Sequence, residues 1–563
     1  MVELKKLTLE ESFKRGVELF PDNLAISGIG KNSLTFKELA ENVKKISEFL
    51  KEEGITNGDK VAILSDNSPN WAIAYFSITT IGAVAVPIMT EFQSADVHHV
   101  LRHSAAKVIF VSKKLYEKIG EFNSETLTTK VLIDDFSIIA AKQTDDIISR
   151  KIKDGKKEFG KILDAALKFV GAKNDEIKED DLAAILYTSG TTGHSKGVML
   201  THKNIVYDAV ATSSFVDICS SDRMLSMLPL AHTMECTLGL VLPLMVGASV
   251  YYLEKPPTAS HLLPALLKVK PTIMVSVPLI IEKIYKMKIL PEINKKSVTR
   301  NLYKVGLVRK RLNKIVGKKL LKIFGGSLRM FCIGGATLPS DVEKFLQESR
   351  FPYALGYGLT ETSPLVTGTD NTKVRFGASG TVLVGMEVKI DEPDPATGVG
   401  EILIKGPNVM KGYYKDPEKT KDVFDKKGWF KSGDLGLMDK DGYLFIKGRS
   451  KNVIIGTNGK NIYPEEIESV INENPFILES LVYETEQKIA ARVHLNYETI
   501  DKEFGLKDMN NTEARKKIDN LLNTILSDVN KRVATFSKIN KIIEQPEPFV
   551  KTPTKKIKRY LYT

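Results

Sequence analysis

The chain has 563 residues, 42% hydrophobic and 27% charged, which excludes a disordered, collagenous or coiled-coil protein and asks for two or more domains. Its formal net charge of +12 would suit an anionic partner, whether nucleic acid, a membrane surface or a polyanionic cofactor. The lysines run along the whole chain, however, as they do on any lysine-rich solvated surface.

In chain order the first half alternates helix and strand. From Thr35 to Gly54, Leu, Ile and Phe recur at helical spacing with lysines opposite; Thr35 and Glu38 can form a capping box, and Gly54 marks the end. Val61 to Leu64 reads as a strand, as do Lys107 to Val111 and Val131 to Ile133. Two uncharged stretches, Trp71 to Thr90 and Cys236 to Leu253, are about long enough to span a bilayer. Gly82 and Pro87 break the first, and Gly239, Pro243 and Gly247 the second, so each is expected to be a buried helix running into a buried strand. Lys151 to Lys178 is a lysine-rich surface helix or two, and the apolar strand Leu182 to Leu186 follows. Asn301 to Phe324, with Arg309, Lys310, Arg311, Lys318 and Lys319, is a basic amphipathic stretch. It reads first as a solvated helix face, with a membrane-surface contact as the alternative.

From Phe376 to Ile446 glycines and short alternating strands dominate, with Asp439 to Gly442 (DKDG) as a turn between two of them. A smaller α/β stretch follows Gly448 and ends in the basic tail KTPTKKIKR. No internal repeat and no RNA- or DNA-binding signature is evident. Cys219, Cys236 and Cys332 form no CxxC pair, which fits a reducing cytoplasmic setting. The N-terminal MVELKKLTLEESFKRG lacks the apolar segment of a cleaved signal peptide.

The chemistry concentrates in Tyr187 to Gly197, YTSGTTGHSKG. Glycines let a backbone bend towards a ligand and aim its N–H groups at phosphate oxygens. Thr188, Ser189, Thr191 and Thr192 add hydroxyl donors beside Gly190 and Gly193, and Lys196 adds a positive charge. This is a phosphate cradle, but not a Walker A loop: Lys196 is followed by Gly197 instead of Ser or Thr.

The string resembles the phosphate loop of adenylate-forming enzymes, the superfamily of acyl-CoA synthetases, luciferases and peptide-synthetase adenylation domains. The resemblance recurs in order through CIGGA (332–336), GYGLTE (356–361), GWFKSGD (428–434), GYLFIKGRSK (442–451), NIYPEEIE (461–468) and KTPTKKIKR (551–559). It implies an α/β fold: a large N-terminal domain, 1–448, of parallel-rich αβ subdomains plus a β-rich subdomain, and a small mobile α+β C-terminal domain, 449–563, hinged near Lys451. It also implies roles. Tyr357 would stack on adenine, with Gly335 and Ala336 leaving room on the other side, and Gly358 would be a further cofactor-binding residue. Thr360 would hold the α-phosphate of ATP, and Glu361 with Thr191 would position Mg²⁺. Asp434 would accept the ribose hydroxyls and Arg449 would contact ribose or phosphate. Lys556 would reach the α-phosphate and the attacking carboxylate, with Lys555 standing beside it as the one-residue alternative. His232, in LPLAHTME, matches a position near the acyl carboxylate, a buried structural histidine being the competing reading. Coenzyme A would be the second substrate, its tunnel forming at GTNGK (456–460).

The motif set looks most like long-chain fatty acid–CoA ligases. It departs from them in having no tryptophan near Cys236, in Asn452 where an Asp is usual, and in Lys555 where a Gly is usual. A medium-chain or aryl acid, or an acyl carrier protein as acceptor, stays open. No nucleic-acid partner is expected; peripheral contact with the inner face of a membrane and a homodimer remain open expectations.

Overall fold

The computed structural model describes residues 2–31, 33–139, 176–188, 195–294, 301–456, 460–486, 488–552 and 556–563. Most of the lysine-rich stretch from 151, the loop residues Ser189, Gly190, Thr191, Thr192 and Gly193, the middle of GTNGK (457–459) and Lys555 lie outside the described residues.

Two large sheets carry most of the chain. In the eight-stranded sheet, Lys60–Leu64 pairs in parallel with Val84–Pro87 and Val108–Val111, and Val84–Pro87 leads in parallel to Leu182–Thr188. Val84–Pro87 and Val108–Val111 are buried at every position, as strands covered on both faces must be. Helix Phe36–Glu52 packs on this core through Phe36, Leu39, Val43, Ile46 and Leu50. Its expected capping box is present: Thr35 Oγ1 accepts from the Glu38 N–H, and the Glu38 carboxylate accepts from the Thr35 N–H. Gly54 follows with φ +75°, a conformation that favours glycine.

The two uncharged stretches are buried, as expected. Helix Pro69–Thr79 runs into the strand Val84–Pro87. Met234–Val241 is a wide π-helical segment that passes through Leu242–Met245 to the strand Ser249–Tyr252. Among the described residues no helix is long and apolar enough to cross a membrane.

The second sheet has thirteen strands and changes character midway. Leu24–Gly28, Ser249–Tyr252, Arg223–Ser226, Ile273–Ser276, Met330–Ile333 and Tyr353–Gly358 are parallel neighbours. From Tyr353–Gly358 outward every pairing is antiparallel, through Leu365–Gly368, Gly380–Val382, Tyr443–Arg449, Phe430–Met438 and Gly400–Lys405 to the edge strand Glu387–Asp391. The glycine-rich β stretch therefore continues the parallel sheet edge to edge. DKDG closes the hairpin between Phe430–Met438 and Tyr443–Arg449, with Asp439 Oδ1 accepting from the Asp441 and Tyr443 N–H groups.

The carboxyl ends of the two sheets meet. Asn67, just past Leu64, donates to Ser226 Oγ at 3.0 Å and to the Leu228 carbonyl at 2.6 Å, and accepts from the Leu230 N–H at 2.9 Å. Ligands of open α/β sheets collect at such carboxyl ends.

Beyond Ile454 a separate apolar cluster includes Ile467, Ile471, Val482, Val493, Ile525 and Val529. It joins the three-stranded sheet Ile477–Thr485, Lys488–Leu495 and Lys541–Glu544 to helices Pro464–Asn472 and Asn511–Arg532. The chain finishes in a hairpin in which Lys551 and Ile557 face each other as an antiparallel bridge. Its base is anchored by ion pairs of Lys551 with Glu479 and Arg559 with Glu468.

Candidate active site

The glycine-rich loop spans two neighbouring antiparallel strands, Leu182–Thr188 and Lys196–Thr201, with Thr188 opposite Lys196 and Tyr187 opposite Gly197. The loop's two ends are thus fixed by sheet register, although its middle lies outside the described residues. Gly197 is required by packing: a Cβ there would sit 2.9 Å from Ile185 Cγ2.

A short strand, Gly412–Tyr413, pairs with Lys196–Thr201 and ties the loop to GYGLTE. The Lys196 ammonium lies 4.9 Å above the Tyr413 ring, a favourable cation–π placement. The Tyr413 hydroxyl donates to Glu361 Oε1 at 2.9 Å, and the Met410 N–H donates to the Glu361 carbonyl at 2.8 Å. Tyr413 was not among the expected site residues. Its signal was the GYY ending of a glycine-rich strand run, which gives no partner.

GYGLTE occupies the point where the thirteen-stranded sheet turns antiparallel. The register slips between Tyr357 and Gly358, and a Cβ on Gly358 would come within 1.8 Å of the Pro364 carbonyl oxygen; only glycine fits. A short 3₁₀ turn, Thr360–Thr362, follows and carries Thr360 and Glu361. Two residues missed in the sequence brace it. The carboxylate of Asp208, on helix His202–Thr212, accepts from the Leu365 N–H at 3.0 Å and from Asn408 Nδ2 at 2.8 Å. Burial raises the Asp208 pKa well above its ordinary value, against the pull of these two donors.

Asp434 and Arg449 face each other across the hairpin strands. Arg449 Nε contacts Asp434 Oδ1 at 2.7 Å, and the Tyr357 hydroxyl donates to Asp434 Oδ2 at 2.7 Å. Both carboxylate oxygens are therefore held, and the motifs GYGLTE, GWFKSGD and GYLFIKGRSK meet in one cluster. Burial raises Asp434 despite the guanidinium beside it.

Gly335 and Ala336 are exposed just past the strand Met330–Ile333. Gly335 has φ +84°, and a Cβ on it would find only Val277 Cγ1 at 3.6 Å and Met234 Cε at 4.0 Å. Gly335 thus forms an open ledge. His232 precedes the π-helix, and its Nδ1 accepts from the Met234 N–H at 3.2 Å. Burial, and then the nearby Lys556 ammonium, hold its pKa down to about 4. His232 is thus neutral near pH 7 and carries its proton on Nε2.

Lys556 joins this group from the C-terminal hairpin. Its backbone is fixed by the Thr552 N–H donating to the Lys556 carbonyl at 2.7 Å. The side chain is open to solvent yet walled by protein at longer range, which lowers its pKa; Arg449 lowers it further, while Asp434 and Glu361 oppose the shift. Lys451 is lowered by burial and by Arg449, Lys556 and Lys196, with Asp434 opposing. Four cations from three distant segments thus share one field with two carboxylates, a balance suited to a polyanion. Among the described residues no group of three His, Cys, Asp or Glu side chains could hold a metal. Mg²⁺ bound through phosphates needs only one or two protein ligands, which Glu361 fits.

The AMP-binding enzyme family matches residues 13–414. A long-chain-fatty-acid–CoA ligase of Mycobacterium bovis (FadD15) is 28% identical, over 93% of this chain and 90% of its own. A 2-succinylbenzoate–CoA ligase of Bacillus licheniformis is 29% identical, over 87% of this chain and 89% of its own. The ATP-bound crystal structure of MatB from Rhodopseudomonas palustris superposes with a TM-score of 0.75 at 24% identity, covering 98% of both chains. That of the anthranilate CoA ligase AuaEII with anthranoyl-AMP gives 0.77 at 21%, covering 98% of this chain and 96% of its own. With the family match running through most of the chain, this protein belongs to the AMP-binding enzymes.

Proposed function

We propose that this chain is an AMP-forming acid–thiol ligase that activates a fatty acid and passes it to coenzyme A. The observation that carries the reading is the meeting of Lys556 with Glu361, Asp434, Arg449 and Lys451 in one electrostatic neighbourhood. In the first step an oxygen of the acid's carboxylate attacks the α-phosphorus of ATP, the bond to the β-phosphate breaks, and pyrophosphate leaves. Both reactants are anionic, so the barrier is largely electrostatic. Lys556 neutralises the attacking carboxylate and the α-phosphate, Thr360 donates to that phosphate, and Lys196 and the loop hold the outgoing phosphates. Asp434 accepts the ribose hydroxyls while Arg449 and Tyr357 keep it in place. Mg²⁺, held by Glu361 with Thr191, would supply charge neutralisation between phosphates. In the second step the thiol of coenzyme A attacks the acyl carbonyl and AMP leaves. We assign 1–448 to the adenylating domain and 449–563 to a domain that swings Lys556 away between the steps.

The test is acid-dependent exchange of pyrophosphate into ATP across a panel of carboxylic acids. Exchange strongest with long-chain acids is the expected result; none with any acid would overturn the reading. A second reading, an aryl or medium-chain acid, or transfer to an acyl carrier protein, is favoured by the near-equal identity of the curated relatives. These include the 2-succinylbenzoate ligase and a long-chain-fatty-acid–[acyl-carrier-protein] ligase of Arabidopsis thaliana, 29% identical over 77% of this chain and 68% of its own. Exchange strongest with an aryl acid would select it.

A further inference from the structure

Lysines occur throughout the chain, but the excess of cations over anions does not. Residues 259–323 hold sixteen Lys and Arg against two Asp and Glu, a net +14 that exceeds the +12 of the whole chain. The remainder is slightly acidic. The segment's centrepiece is helix Gly306–Ile323. Its inner face is fixed: Asn313, Gly317 and Leu320 are buried, and a Cβ on Gly317 would lie 2.4 Å from the Ser349 carbonyl oxygen. Arg309 pairs with Glu348 at 2.8 Å on that inner side.

The register of the opposite face follows. Leu307, Arg311, Lys314, Ile315, Lys318 and Lys322 recur at three- and four-residue steps and point away from the protein. Leu307 is 78% exposed and Ile315 55%, and on the segment just before the helix Val305 is 52% exposed. Exposed aliphatic side chains set among cations serve no purpose against nucleic acid, where stacking aromatics would be wanted. Tyr303, the aromatic residue beside the helix, instead turns its hydroxyl to Asn313 at 2.9 Å. Aliphatic tips flanked by lysines suit the boundary between anionic headgroups and acyl chains, where long basic side chains reach outward to the headgroups.

We infer that the outer face of helix Gly306–Ile323 docks this protein on the anionic surface of a lipid bilayer. The basic segment also passes the candidate site: Val277, which precedes helix Pro278–Ile284, borders the Gly335 ledge. Docking would hold that end of the molecule at the membrane.

Flotation of the full-length protein with vesicles tests the inference. Binding is expected to vesicles of phosphatidylcholine with phosphatidylglycerol, and not to phosphatidylcholine alone. Each lysine near an anionic surface strengthens binding about fivefold, so Lys314→Gln, Lys318→Gln and Lys322→Gln together should weaken it roughly a hundredfold. Leu307→Ser with Ile315→Ser should weaken it roughly tenfold through lost apolar insertion. Neither variant should alter pyrophosphate exchange with a water-soluble acid in the absence of vesicles. Equal binding to neutral vesicles, no binding to anionic ones, or wild-type binding by the triple variant would each overturn the inference. So would a dimer in sedimentation that the Leu307→Ser, Ile315→Ser variant loses, or binding to DNA in place of vesicles.

Discussion

Asp434 and Lys556 stand in the same electrostatic neighbourhood but are held there by opposite means. Asp434 is a sheet residue: its strand partner is Arg449, its two oxygens are taken by Arg449 and Tyr357, and it is buried. Lys556 adjoins the Lys551–Ile557 bridge, in a segment anchored by Lys551 and Arg559, and its own side chain reaches the site on a flexible stem. On the proposed function, the group that binds is built into the frame, and the group that acts in one step alone is delivered from outside it. The difference separates two kinds of damage, in binding and folding on one side and in rate on the other.

The largest effect is expected at the hairpin. Lys556→Ala should lower acid-dependent pyrophosphate exchange by roughly 10²- to 10³-fold, leave the melting temperature unchanged, and spare thioester formation from a preformed acyl-adenylate. Equal loss in both half-reactions would break the contrast. Asp434→Asn should act in the other way: Arg449 would face a neutral group, stability should fall by about 2 kcal/mol, and the KM for ATP should rise roughly tenfold, read by thermal denaturation and exchange kinetics together. A rate loss without either change would put Asp434 in the same class as Lys556.

The frame should also respond to pH in a defined sense. His202 is buried, accepts from the Leu9 N–H at 3.2 Å, and is held by burial at a pKa of about 4 against 6.5. Between these values the unfolded chain takes a proton that the native state refuses, so stability falls as pH drops through that window, by at most roughly 1.4 kcal/mol per pH unit. Glu235 is pushed by burial from 4.5 to about 8. There the native state keeps a proton that the unfolded chain releases, so this contribution falls as pH rises through that window. His232, held down to about 4 as well, adds to the acid slope, and Glu235 opposes it between 4.5 and 6.5 and stands alone above; denaturation midpoints against pH should therefore fall above pH 6.5, and His202→Gln should reduce the acid contribution without abolishing it. The smallest effect is expected of the conservative change at Asp208. An amide oxygen can still accept from the Leu365 N–H, so Asp208→Asn should change stability by under about 1 kcal/mol, whereas Asp208→Leu strands that N–H and should cost about 1–3 kcal/mol.

Residues that announce themselves in strings were legible in the sequence. GYGLTE, GWFKSGD and GYLFIKGRSK named Tyr357, Asp434 and Arg449, and the DKDG turn already implied that the last two lie on neighbouring strands. Tyr413, Asp208 and Asn408 were not legible there. Each is a single polar side chain in an unremarked segment, and its partner lies 52, 157 or 200 residues away. Spacing along a chain carries no trace of such contacts. Nor could local patterning foresee that the glycine-rich strands from Phe376 onward would extend the parallel sheet. Alternation reports which face of a strand is covered, not which strand lies beside it.

The thirteen-stranded sheet raises a question of solubility as well as of architecture. So many strands in a row offer a long template on which a second copy could add its own backbone. Both ends are blunted. One is the three-residue strand Ser33–Thr35, which stops at once in the capped helix Phe36–Glu52. The other, Glu387–Asp391, sets Glu387, Lys389 and Asp391 at alternate positions along its length. Charges so placed make an incoming strand bury ions to pair. The width that brings three distant motifs to one carboxyl edge is thereby kept from becoming a route to aggregation.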